Sequence, residues 1–208
     1  MKKNNIPEAI GIFVSLSGVV VMAGWFLNIG ILKSILPCWV SMKFSTALSF
    51  FLCGIDLYFM ARYQKRDRDL AIIIIPIMSM AILLLMTSLI ASTVLGISVG
   101  VEDMFVRDSM EAIGSVVPGR PSVATMINFV LMAMAGILMI MNLNRLRKSH
   151  FIIGLTVAII GSAAVLGYII NKPILYFMVL GKSSAMAIHT AILFVFWGIG
   201  LVLTEGNK

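Results

Sequence analysis

The sequence predicts an all-α integral membrane protein: six transmembrane helices arranged as three repeated helical hairpins, with both termini cytoplasmic. Three observations carry that expectation. The 208 residues are 60% hydrophobic and 12% charged, whereas a soluble domain is about 45–50% apolar and about 25% charged. Six mostly apolar runs approach or exceed the ~20 residues that cross a bilayer as a helix. Three of those runs share one local frame of residue types. The composition excludes a soluble enzyme, a disordered tail and a disulfide-stapled secreted module. The alternation of an outer-membrane barrel is absent.

The first run, Ile10–Leu32, follows Met1-Lys2-Lys3. It is too long for a signal peptide and lacks a small-x-small cleavage site, so it reads as a retained span. The second, Phe44–Ala61, holds Asp56, the one acidic residue firmly inside a span. An intramembrane carboxylate is costly and often functional; pairing with Arg62 is the structural alternative. The third, Leu70–Ile97, exceeds the bilayer and is expected to tilt or project, with a kink at Pro76.

The longest connection, Ser98–Ser122, carries Glu102, Asp103, Asp108 and Glu111 around Arg107. Oxygen ligands of this kind suit a cation, but the spacing matches no calcium loop, and a solvated helix face is the better reading. Pro118-Gly119-Arg120-Pro121 forms a turn into the fourth run, Val123–Leu143. That run contributes Asn128 as an interhelical hydrogen-bond candidate, with Asn142 and Asn144 at headgroup level. Its methionines (Met126, Met132, Met134, Met139, Met141) suit flexible packing better than a thioether metal route.

Phe151–Ile170 is the fifth run and Ala187–Thr204 the sixth. His189, near the outer end of the sixth, is the only histidine within a span. It could titrate, bind a metal or ligate haem iron. His150, the only other histidine, lies at the opposite boundary, so one chain cannot easily pair the two. A bond to a neighbouring helix is preferred, and a homodimer would let His189 meet its mate. Cys38 and Cys53 are not expected to form a disulfide. Lys33, Trp39, Lys43, Arg62 and Tyr63 have the character of interface anchors.

Orientation follows from loop charge. With both termini inside, ten basic residues are cytoplasmic, clustered in Arg62–Arg68 and Arg145–Lys148, and six are outside; the positive-inside rule favours that arrangement. The short inside connections make helices two and three, and four and five, antiparallel neighbours. The expectation is a single membrane domain over 1–208, with hairpins at about 10–61, 70–143 and 151–204.

The shared frame is Thr, an aromatic four residues on, and a small residue four further. It reads Thr46, Phe50, Gly54 in the second run, Thr125, Phe129, Ala133 in the fourth and Thr190, Phe194, Gly198 in the sixth. Met42, Pro121 and Met186 each stand four before the Thr. The aromatic and the small residue share a face, and the small residue lets another helix approach closely. Duplication of a two-helix unit is the expected origin. The even-numbered helices are expected to line the centre, with Phe50, Phe129 and Phe194 inward.

This frame, with Leu36-Pro37-Cys38-Trp39-Val40-Ser41-Met42-Lys43 before its first copy and Met186-Ala187-Ile188-His189-Thr190-Ala191-Ile192 opening its last, resembles the N-terminal membrane-embedded input region of bacterial sensor histidine kinases. Similar regions precede PAS and diguanylate cyclase modules. The resemblance implies a module in the cytoplasmic membrane that senses a stimulus and passes it to cytoplasmic output domains. The sequence ends at Glu205-Gly206-Asn207-Lys208 without such a domain. The expectation is a stand-alone relative acting through a kinase or cyclase partner, or a fragment.

No phosphate loop, zinc motif, serine elbow or CxxC pair appears, so neither an enzyme nor a resident cofactor or metal is expected, nor a nucleic-acid partner. The alternatives are a small transporter or channel, for which Asp56, Asn128, Thr87 and Ser88 are the available polar groups, and an assembly subunit of a larger membrane complex.

Overall fold

The computed structural model describes residues 5–36, 39–97, 100, 118–141, 147–177 and 184–204. Its elements in order are α1 (Ile6–Phe26), α2 (Gly30–Lys33), α3 (Phe44–Gln64), α4 (Ala71–Leu95), α5 (Val123–Ile140), α6 (Arg147–Ile169), α7 (Ile174–Phe177) and α8 (Ile188–Thr204). Five of these (α1, α3, α4, α5 and α6) are long and apolar enough to cross a membrane, and α8 is an apolar helix of 17 residues.

The first expected span is cut short. Its helix starts earlier, at Ile6, and stops at Phe26, because Asn28 turns the chain with φ 54° before the separate turn α2 begins. Asn tolerates that left-handed conformation better than most residues. Counting apolar residues alone merged the two helices. Asn171, at φ 52°, ends α6 in the same way ahead of α7. α4 runs continuously through Pro76 and ends at Gly96, φ 66°. The acidic connection, Asn142, Asn144 and Cys38 fall outside the described residues. Cys53 is a buried free thiol.

The helices form antiparallel pairs, α1 with α3, α4 with α5 and α6 with α8. The pairs then close on one another: α4 packs on α3, α6 on α5 and α1 on α8. α3, α5 and α8 stand inside this ring and run parallel. Their buried positions recur at alternating spacings of four and three, the pattern of knobs-into-holes packing. The positions correspond in five sets: Thr46, Thr125 and Thr190; Phe50, Phe129 and Phe194; Cys53, Met132 and Trp197; Leu57, Gly136 and Leu201; Met60, Met139 and Thr204.

The outer helices keep one register too. α1 buries Pro7, Gly11, Val14, Gly18, Val21 and Gly24. α4 buries Ile75, Ser79, Ile82, Met86, Leu89 and Ser92 in the same order and spacing. α6 does so with His150, Gly154, Val157, Gly161, Ala164 and Gly167. Outward faces are aliphatic, with Leu16 58%, Leu84 62% and Ile152 59% exposed. In water such a surface would aggregate; in lipid it is the expected exterior.

Candidate functional site

The residues that could carry function lie on and against the inner helices, at three heights. The end of the bundle where α3, α5 and α8 begin is the entry end, and the end where they finish is the exit end.

At the entry end, extended segments lead into the inner helices. Met42 N–H donates to Lys33 O at 2.9 Å, and Trp25 Nε1 on α1 donates to Met42 O at 2.9 Å. The third pair repeats the arrangement: Met186 N–H donates to Tyr176 O at 2.8 Å, and Tyr168 Oη on α6 donates to Met186 O at 2.9 Å. Before α5, Pro121 has no N–H to offer. There Arg120, buried, donates to Ser92 Oγ and, at 3.1 Å, to Ile97 O, which ties the end of α4 to the start of α5. Ser122 caps α5, accepting from Thr125 N–H at 3.1 Å, and its hydroxyl lies 2.7 Å from Thr125 Oγ1. Lys43 is 3% exposed and therefore no snorkelling anchor, unlike Lys33, whose ammonium bonds Asn28 Oδ1 and lies over the Trp25 ring.

One turn further in, Phe50, Phe129 and Phe194 meet. Their centroids are 4.8, 4.9 and 5.1 Å apart, tilted or edge-to-face, and all three are fully buried. Such contacts are worth about 0.5–1.5 kcal/mol per pair beyond area burial. The cluster fills the centre where the inner helices meet. Below it, Trp197 Nε1 donates to Cys53 O at 3.0 Å.

Toward the exit end, α3, α4 and α5 meet at a polar contact. Ser79 Oγ donates to Asp56 Oδ2 at 2.9 Å. Gly136 makes the room: a Cβ there would lie 2.7 Å from Asp56 Oδ2 and closer still to Ser79 Oγ. The Asp56–Arg62 pair, the structural alternative, does not form. Asp56 faces inward between helices, while Arg62 bonds Asp67, through Nε at 2.9 Å, and Tyr58 Oη at 3.0 Å. Asp56 Oδ1 and both amide atoms of Asn128 are buried without hydrogen-bond partners, so Asn128 does not make the expected interhelical bond. His150 Nε2 lies 3.1 Å from Ala135 O, joining α6 to α5 where Ser79 joins α4 to α3.

His189 also departs from expectation. Neither ring nitrogen has a hydrogen-bond partner. The residue instead lines a cleft of about 450 Å³ between α1, α2 and α8. Among the described residues no three His, Cys, Asp or Glu side chains gather as metal ligands do. Sequence reading missed Ser79 and Gly136, because nothing local to either marks it as a neighbour of Asp56. The glycines of α1 and α6, by contrast, stand at a constant offset and were there to be found.

Compared with known family models, curated proteins and solved structures, the chain matches none. Its fold defines a helical membrane protein. Several apolar helices make it a multi-pass one.

Proposed function

We propose that the protein is a membrane-embedded signal-input module of the bacterial cytoplasmic membrane, which passes a stimulus to a cytoplasmic kinase or cyclase partner. In this reading α1, α3, α4, α5, α6 and α8 are six spans, built as three duplicated hairpins, with both termini and the exit end cytoplasmic. The parallel α3–α5–α8 core carries the proposal. Three buried helices joined at the Phe50–Phe129–Phe194 cluster shift together, so a displacement at the entry end is delivered at the exit end. The resemblance of the Thr-aromatic-small frame to sensor-kinase input regions supports it. Duplication is supported by the common register of α1, α4 and α6 and by the matched Trp25–Met42 and Tyr168–Met186 bonds. Orientation is supported by Arg62, Lys65, Arg66, Arg68 and Lys148 at the exit end.

Transport is the second reading, favoured by the buried Asp56 Oδ1 and Asn128 amide, polar groups that a passing cation or proton would engage. The phenylalanine cluster argues against an open pore along the centre. The two readings separate on purification in mild detergent at native expression, with mass spectrometry of what accompanies the protein. A co-purifying kinase, cyclase or response protein is expected. A partner-free protein that moves protons or cations in reconstituted vesicles, and loses that activity on Asp56→Asn, would establish transport instead.

A further inference from the structure

We infer that the cleft between α1, α2 and α8 binds an isoprenoid quinone or its quinol, with the oxygen-bearing ring at His189 and the tail along α1. The inference names the stimulus of the input module and rests on that reading for its purpose, though not for the binding itself.

The cleft, about 450 Å³, falls within the ~300–1,000 Å³ of small-molecule sites. It follows α1 from Phe13 to Val21, about 12 Å of helix at 1.5 Å per residue. Phe13, Leu16 and Val20 line it and are 47%, 58% and 49% exposed, so it opens sideways to lipid. A long apolar tail has an unobstructed route in from the bilayer.

The head group follows from charge. Among the described residues, none that lines it is a lysine, an arginine or a carboxylate. A phosphate or a fatty-acid carboxylate would enter without a counter-ion, at high cost in a medium this apolar. A neutral carbonyl or hydroxyl has no such requirement. Of the two polar residues among the described lining, Ser17 already donates its hydroxyl to Phe13 O at 2.8 Å. His189 remains, with both nitrogens unpartnered. Neutral imidazole donates from one nitrogen and accepts at the other, so it serves a quinone carbonyl and a quinol hydroxyl alike. Both nitrogens are buried as the ring stands, so engaging a head group requires the imidazole to turn.

The other two junctions differ. Ser45 and Ala124 hold the position of His189 on α3 and α5, each just before the framing threonine, and both are buried. The imidazole is therefore peculiar to the junction beside this cleft, and packing of the inner helices does not require it.

The test uses the purified full chain in phosphatidylcholine nanodiscs, photolabelled with an azidoquinone and mapped by peptide mass spectrometry. Label is expected on α1 and α8, displaced by decylubiquinone but not by oleate. Leu16→Trp, at an exposed position, is expected to fill the cleft and abolish labelling without disturbing the core. His189→Ala should weaken decylubiquinone competition about fivefold, the scale of one neutral hydrogen bond, and His189→Gln should restore most of it. Label spread evenly over lipid-facing helices, labelling indifferent to Leu16→Trp, or oleate competing equally well would overturn the proposal. Unchanged competition in His189→Ala would overturn the placement of the head group. Because binding alone is read, a failure here is distinct from a failure to find a signalling partner.

Discussion

The α1–α3 and α4–α5 pairs hold equivalent places in the ring but meet by different means. In the first, backbone touches backbone. A Cβ on Gly11 would lie 2.8 Å from Gly54 O, and one on Gly18 2.5 Å from Ala47 O. The α6–α8 pair copies this, with Gly154 at 2.8 Å from Gly198 O and Gly161 at 2.6 Å from Ala191 O. In the middle pair, Ser79 and Met86 stand where those glycines stand, Ala133 replaces Gly54, and contact passes through side chains. In lipid, helices gain little from burying apolar surface against one another, so close approach of small residues is the chief source of affinity. The flanking pairs use that source. The middle pair gives it up and gains room for the Asp56–Ser79 contact.

The comparison can be broken by substitution, measured as thermal or denaturant stability in mild detergent. The largest effect belongs to what all three pairs share. Phe50→Ala, Phe129→Ala and Phe194→Ala should each cost about 3–5 kcal/mol, the range for a buried aromatic. A much smaller loss for one of them would show that the layer is not shared equally. Next come the seams. Gly54→Ala and Gly198→Ala force a methyl against backbone and should cost about 3 kcal/mol, the upper part of the overpacking range. The mirror-image change, Ala133→Gly, should cost about 1 kcal/mol, the helix-propensity difference. Equal effects at all three sites would erase the distinction between the pairs.

Ser79→Ala should cost about 1–2 kcal/mol by leaving a buried carboxyl oxygen without its donor, whereas Ser79→Gly, which mimics Gly11, should not restore stability. The smallest pair of effects tests the likeness of the flanking pairs. Trp25→Phe and Tyr168→Phe should each lose about 1 kcal/mol, one hydrogen bond to the Met42 or Met186 carbonyl. A clear inequality between them would mean that the two entry segments are held differently.

How much was legible follows the same division. The inner helices announced themselves, because Thr46, Phe50 and Gly54 and their counterparts combine three unlike residue types at fixed spacing. The spacing also placed the three phenylalanines on inward faces, where the rings meet. The outer helices carry their register in glycine, alanine and aliphatic residues, which a scan for long apolar runs treats as uniform. Gly11, Gly18 and Gly24 could have been matched to Gly154, Gly161 and Gly167, and Asn28 to Asn171, without any structure. The partner of Asp56 could not. Arg62 was nearer in sequence, but six residues is more than one and a half turns of helix, and the choice of Ser79 depends on how α4 lies against α3.

The closure of the ring by α1 on α8 has a consequence for chain connectivity. Ile10 on α1 lies beside Gly200 on α8, and both Ile6 and Thr204 belong to the exit end. The turn from Gln64 to Ala71 is at that end as well. A circular permutant that joins the helices across the first gap and opens the chain at the second would keep every helix–helix contact. Beginning with α4, it would have to fold to the same six-helix ring, since the order in which the pairs are synthesised is not recorded in how they pack.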